Sequence, residues 1–237
     1  PYTTLFRSAG NQNSQVGVPL TLSRMSSEDE IAVLEIGMSE RGQIEKLSRM
    51  IRPDIAVLTV IGVSHIAQLG SQENICLEKM DIVKGLSEDG MIFLNGDDKW
   101  QAAYRGRLPF KTRFYGLDKD CDYRAGDIRV EEGKTRFSFL YRTAGSGDLA
   151  DPADQSLPVT LSVMGEHNVR NALAALGIAC ELGLDMEKAA AALESFKGQR
   201  LKLMSLSSCT LIDDTYNASP DSMKTSLKVL AKMENVK

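Results

Sequence analysis

Apolar runs of strand length alternate along this chain with stretches of helical spacing. From Ile31 the run IAVLEI is followed by a polar turn and a helix-like stretch over residues 42–50 that stops before Pro53. A second run, IAVLTVIGV over residues 55–63, leads through His65 to helical spacing over residues 73–86, and MIFLN at residues 91–95 supplies a third strand. Strand, helix and strand at this spacing predict a parallel sheet covered by helices. Between residues 111 and 163 the pattern changes to short alternating segments such as TRFSFLYR, which predict an antiparallel, partly exposed portion. The polar stretch AGSGDLADPADQS over residues 144–156 reads as a surface loop. Helices follow over residues 168–182 and 186–196, then a strand over 209–213 and a helix from Pro220, whose fixed φ suits a first helical turn. The expected fold class is α/β, a mostly parallel sheet flanked by helices with a small antiparallel β portion and no internal repeat.

Composition narrows the class without naming a chemistry. The 237 residues are 43% hydrophobic, which is ordinary for a globular chain of one large domain or two modest ones. With 28 Lys and Arg against 32 Asp and Glu the net charge is −4, which argues against a general nucleic-acid binder. No run approaches the ~18 apolar residues of a membrane span, and the start lacks the pattern of a signal peptide, so a cytoplasmic location is expected. Cys76, Cys121, Cys180 and Cys209 form no CxxC pair and are expected to be buried free thiols. PYTTLFRS opens the chain without an initiator Met, and the sequence reads as a fragment.

Several polar residues fall where α/β proteins place chemistry. Glu35 ends the first run and His65 follows the second, and polar groups at the carboxyl ends of successive strands point into one crevice. Each is also compatible with a solvated or purely structural role. Lys79 shares a predicted helix face with Ile75, Ile82 and Leu86, where a lysine can simply lay its stem along apolar surface. GEHNVRNALAA places His167 beside a helix start and Asn168 and Asn171 three apart on one face, where capping explains one asparagine more readily than two. In LIDDTYNASPDSM, Asp213 and Asp214 follow a strand and Tyr216 and Asn217 lie in the turn before a helix, positions that suit either a ribose or metal shell or plain turn chemistry.

The ordered set GNQNSQVGVPLTL, LEIGMSERGQI, VIGVSHIAQLGSQENI, LEKMDI, LNGDD, GEHNVRNALAA and DDTYNASPDSM resembles the central ATP-binding domain of the Mur ligases, over residues 9 to 232. DDTYNASPDSM is its most specific piece and is most similar to the branch of that family that adds D-alanyl-D-alanine. The resemblance implies an ATP-dependent amide ligase of peptidoglycan synthesis. In such a ligase ATP phosphorylates the terminal carboxylate of UDP-N-acetylmuramoyl-tripeptide and the D-Ala-D-Ala amine displaces the phosphate, with two Mg²⁺ ions organising the transfer. On the resemblance Glu35 matches a ligand of the Mg²⁺ between the ATP phosphates, and His65 a ligand of the second ion. Lys79 matches the lysine that family members carry as a carbamate, an oxygen ligand for a hard cation. Asn168 and Asn171 match nucleotide-contacting positions, and Arg200 matches an arginine directed at the transferred phosphate. Asp214, Tyr216 and Asn217 match the nucleotide-side loop, with Asn95 in the same neighbourhood.

Departures from the family pattern are equally specific. The Gly-Lys-Thr phosphate loop expected just upstream of GNQNSQ is absent, and Val60 and Gln43 stand where the family more often shows Asn and Glu. Residues 1–8 match nothing expected there and read as a non-native flank. Residues 9–232 read as an incomplete central domain and 233–237 as the start of a link to a C-terminal domain. The chain alone is therefore expected to be inactive, with the missing N- and C-terminal domains of the same enzyme as its partners. The alternatives are another muramyl-peptide ligase, a folylpolyglutamate-type ligase, or a noncatalytic nucleotide-binding module.

Overall fold

MIFLN is the best-matched strand prediction: it forms β4 (Met91–Asn95), with Ile92, Phe93 and Leu94 fully buried. The structure, a computed structural model, describes residues 5–8, 10–131, 133–141, 155–196, 202–207, 209–215 and 220–231. Strands β3 (Ile55–Val57), β4, β5 (Lys111–Gly116), β6 (Tyr123–Glu131), β7 (Lys134–Tyr141) and β8 (Gln155–Leu161) hydrogen-bond in that order in one six-stranded sheet. The chain divides into two compact units, Pro1–Ile92 with Pro109–Lys111, and Phe93–Leu108 with Thr112–Lys237.

In the first unit, β1 (Leu5–Arg7) pairs in parallel with β2 (Ile31–Val33), Leu5 opposite Ile31. The opening stretch that the hydrophobic pattern leaves without an element thus contributes a strand. Helix α1 (Gly17–Leu22) lies between them, and α2 (Gln43–Ile51) follows β2. The buried Glu78 carboxylate, on α4 (Gln72–Met80), accepts the amides of Gly42 at 2.7 Å and Ile44 at 3.0 Å and so caps α2. A negative charge there also faces the positive end of the α2 dipole. The 73–86 stretch is not one helix: α3 (Ile66–Leu69) precedes α4, and Asp81–Gly85 tightens into a 3₁₀ turn. That turn is pinned to α2, since the Ser48 hydroxyl donates to the Ile82 carbonyl and Lys84 bridges Glu45 at 2.7 Å and Asp81 at 3.0 Å.

The expected strand over 55–63 stops at Val57. Beyond it, side chains from α4 take over the backbone acceptors: Lys79 donates to the Val60 carbonyl at 2.8 Å and Gln72 to the Ile61 carbonyl at 3.2 Å. Those acceptors are therefore engaged by side chains, while Leu58 and Ile61 remain buried in the core.

In the second unit, β6–β7 and β7–β8 are antiparallel, as the alternation predicts. Strand β5, expected to be antiparallel as well, pairs in parallel with β6, but only at Tyr115–Tyr123 and Gly116–Arg124. The connection between them folds tightly because the Asp122 carboxylate accepts the Phe114 amide at 2.7 Å while its own amide donates to the Phe114 carbonyl at 2.8 Å. Rings of Phe93, Tyr123, Phe139 and Tyr141 stack successively at 5.8, 6.0 and 4.9 Å. Helix α6 (Glu166–Glu181) packs on this stack at Gly177, where a Cβ would lie 2.7 Å from the Tyr123 ring. Its last residue, Glu181, accepts from the Tyr123 hydroxyl at 2.9 Å and from Arg113. Short α5 (Lys99–Ala102) follows β4, α7 (Met186–Glu194) follows α6, and β9 (Lys202–Ser205) pairs antiparallel with β10 (Thr210–Asp213). Helix α8 (Pro220–Ala231) begins at Pro220 as expected.

Candidate functional site

The metal-side candidates belong to the first unit. Glu35 lies just past β2, exposed, with Oε1 accepting from the Asn13 side-chain amide at 2.9 Å. Residue 13 is held in turn, since its carbonyl accepts the Gly37 amide at 2.7 Å and a Cβ on Gly37 would press the Asn13 side chain at 3.3 Å. Among the described residues no protein donor meets the other Glu35 oxygen. His65 is exposed at the start of α3 with φ of 64°, a left-handed conformation uncommon outside glycine and tolerated by histidine. Lys79, half-buried near the end of α4, is tethered to the loop before His65 through the Val60 carbonyl.

The nucleotide-side candidates belong to the second unit. Asn95 is buried at the end of β4, where its side-chain oxygen accepts the Asp97 amide at 3.0 Å and its own amide donates to Gln101 at 2.8 Å. Asn168 lies in the first turn of α6 and its side chain donates back to the Met164 carbonyl at 2.8 Å, while Asn171 is exposed one turn on. His167 is the second residue of α6, and the helix cap is Gly165. Asp213 closes a local turn by accepting from the Thr215 amide and hydroxyl at 3.0 and 2.6 Å, and Asp214 accepts from Ser226 of α8. Arg200, Tyr216 and Asn217 lie outside the described residues.

Three residues that organise these positions escape the hydrophobic pattern. Asn13 orients Glu35, Glu78 anchors the helix that carries Lys79, and Asp97 gathers the turn after Asn95. Asp97 follows a strand end just as Glu35 does, so the same strand-end argument applied to LNGDD would have found it. Of the cysteines, Cys76 and Cys121 are buried, Cys180 is partly covered and Cys209 is exposed, so the expectation of four buried thiols fails at Cys209, which lies in the turn between β9 and β10. Burial pushes the Cys121 thiol up to about 11, with Arg105 pulling weakly the other way, so it is inert rather than nucleophilic.

Among the described residues no three His, Cys, Asp or Glu side chains gather into a ready-made cation cage. Mg²⁺ at a phosphoryl site needs one or two carboxylates and draws its remaining oxygens from phosphates and water, so Glu35, with one oxygen engaged by Asn13, fits that demand. Lys79 as an ammonium does not, and an imidazole is a soft match to a hard ion. A carbamate on Lys79 would change that balance by supplying oxygen.

The chain belongs to the Mur ligase middle domain family, which matches residues 2–179. It is 38% identical over 234 residues to the UDP-N-acetylmuramoyl-tripeptide–D-alanyl-D-alanine ligase of Bacillus subtilis, covering 96% of this chain and 47% of that one. MurF from Acinetobacter baumannii superposes with a TM-score of 0.88 at 28% identity, covering 98% of this chain and 49% of that one. MurF ligase from Thermotoga maritima, solved in complex with ADP, superposes with a TM-score of 0.82 at 29% identity, covering 97% and 51%. The chain spans about half the length of the curated relatives it matches. No helix among the described residues is long and apolar enough to cross a membrane.

Proposed function

We propose that this chain is the central part of an ATP-dependent amide ligase that joins D-Ala-D-Ala to UDP-N-acetylmuramoyl-tripeptide during cytoplasmic peptidoglycan synthesis. The observation that carries this reading is the 38% identity, across 96% of the chain, to a ligase named for that reaction. A carboxylate oxygen of the tripeptide attacks the γ-phosphorus of ATP and ADP leaves. The dipeptide amine then attacks the acyl carbon, loses a proton, and phosphate departs with the carboxylate oxygen. Bound Mg²⁺ neutralises phosphoryl charge and aligns the oxygens.

This chain's residues supply the framework for those steps. Glu35, steadied by Asn13, would hold one Mg²⁺ through its remaining carboxylate oxygen. His65 and a carbamylated Lys79 would hold a second Mg²⁺, the carbamate supplying the oxygen. Asn168, Asn171, Asn95 and Asp214 serve the nucleotide, joined by Tyr216 and Asn217, and Arg200 faces the transferred phosphate. Most of the rate gain comes from holding reactants in line.

The test is product formation by the full-length protein with ATP and UDP-N-acetylmuramoyl-tripeptide against a panel of amines. D-Ala-D-Ala is expected to give the pentapeptide, detected by mass, and single amino acids none. Ligation of a diamino acid to a shorter muramyl peptide, or of glutamate to a folate, would place the chain elsewhere in the superfamily. Nucleotide binding with no amide formed would make it a noncatalytic module.

A further inference from the structure

Asp97 is a heavily engaged carboxylate of the second unit. It sits in the turn directly after β4, its amide held by the Asn95 side chain at 3.0 Å. Its carboxylate accepts the Leu117 amide at 2.9 and 3.0 Å, the Asp118 amide at 3.0 Å and the Arg170 Nε at 2.6 Å. Gly116 leaves no room for a side chain beside it, since a Cβ there would stand 2.6 Å from Asp97 Oδ1. One carboxylate thus ties together three segments far apart in sequence: the turn after β4, the start of the β5–β6 connection, and α6. The Arg170–Asp97 pair is largely covered, with side chains 27% and 17% exposed, and a short charge-assisted bond in such a setting is stronger than a solvated surface pair. Glu166, one turn back on α6, stands 3.8 Å from Arg170 and competes only weakly.

Arg170 stands on α6 between Asn168 and Asn171. A helix anchored at one side chain in its first turns is fixed in rotation about its own axis, and that rotation decides where the neighbouring side chains point. We propose that the Asp97–Arg170 pair is a positioning device for nucleotide binding, which locks the rotation of α6 against the Asn95 turn so that Asn95, Asn168 and Asn171 meet an adenine nucleotide together. This rests on the nucleotide-side reading given above. Asp97 and Arg170 touch no substrate in this role; they act through the asparagines.

The test uses the full-length protein with ADP as the probe, measuring affinity by calorimetry and ligand-free thermal stability on the same samples. Arg170→Met leaves the Leu117 and Asp118 bonds of Asp97 in place and removes only the anchor, so ADP affinity is expected to fall about tenfold while the ligand-free melting temperature stays close to wild type. Arg170→Lys keeps a cation within reach of the carboxylate and is expected to recover most of that affinity. ADP binding by Arg170→Met at wild-type affinity overturns the proposal. So does a loss of affinity that tracks a loss of melting temperature in both variants, which would make the pair structural only. Failure of the wild-type protein itself to bind ADP would remove the nucleotide-side reading and this inference with it.

Discussion

Lys79→Ala in the full-length protein is expected to lower the proposed ligase turnover by more than about a hundredfold, a loss at least as large as that from removing a supporting residue of a metal site. In the role proposed for Lys79, the neutral amine attacks CO₂, sheds a proton and becomes an anion with two oxygens, which converts a cation into a ligand for a hard ion. An ordinary lysine is protonated at neutral pH, so the modification depends on a site that stabilises the product. The structure holds the side chain by its tip, at the Val60 carbonyl, and fixes its helix through Glu78, whose carboxylate caps α2. Lys79→Arg is expected to fail equally, because a guanidinium keeps its charge and forms no such ligand. Added formate or acetate should partly restore Lys79→Ala by supplying an oxygen. The measurement is turnover of all three proteins at saturating Mg²⁺, with folding matched by circular dichroism. Near-normal rates in either variant would return Lys79 to a lysine that merely tethers the 58–65 loop.

Gly85→Ala is expected to destabilise the protein by about 3 kcal/mol, the upper part of the range for forcing atoms into a packed interface. A Cβ at Gly85 would lie 2.2 Å from the carbonyl carbon and oxygen of Ser48 and 2.5 Å from the Arg49 amide nitrogen. Those are backbone atoms of α2, which cannot swing aside as a side-chain tip can. Relief would require the 3₁₀ turn to lift from α2 and would break the Ser48 bond to the Ile82 carbonyl and the Lys84 bridge. Gly126→Ala in β6 is the control, because its nearest neighbour, the end of Leu140, is 3.4 Å away. Urea unfolding midpoints compare the two, and equal midpoints would mean that the turn does not sit against α2 this closely.

Elements defined by their own apolar content were legible in the sequence. MIFLN and the long α6 match their predicted places, and Pro220 starts α8 as its missing amide hydrogen favours. Where distant residues decide, local pattern fails. Strand β3 stops at Val57, and the Val60 and Ile61 carbonyls further on are engaged by Lys79 and Gln72, which local alternation does not report. Strand β5 reads as antiparallel because nothing in its alternation reports that Asp122 will fold the connection back in parallel. The candidate site divides in the same way. Glu35 and His65 were readable as polar residues closing apolar runs, and the family resemblance added roles for Lys79 and the asparagines. Asp97 could be marked as a strand-end carboxylate, but its partners could not, since Arg170 lies 73 positions away and the Leu117 amide 20 positions away.

The central claim is that the acceptor carboxylate is activated by phosphorylation and then captured by D-Ala-D-Ala. Its most direct measurement is oxygen transfer, with the full-length protein given UDP-N-acetylmuramoyl-tripeptide carrying ¹⁸O in its terminal carboxylate, ATP, Mg²⁺ and D-Ala-D-Ala. An acyl phosphate requires that the phosphate released with each new amide bond carry one oxygen from that carboxylate. Labelled phosphate appearing in step with the pentapeptide is the predicted result, and unlabelled phosphate, or phosphate released without D-Ala-D-Ala being joined, would contradict it.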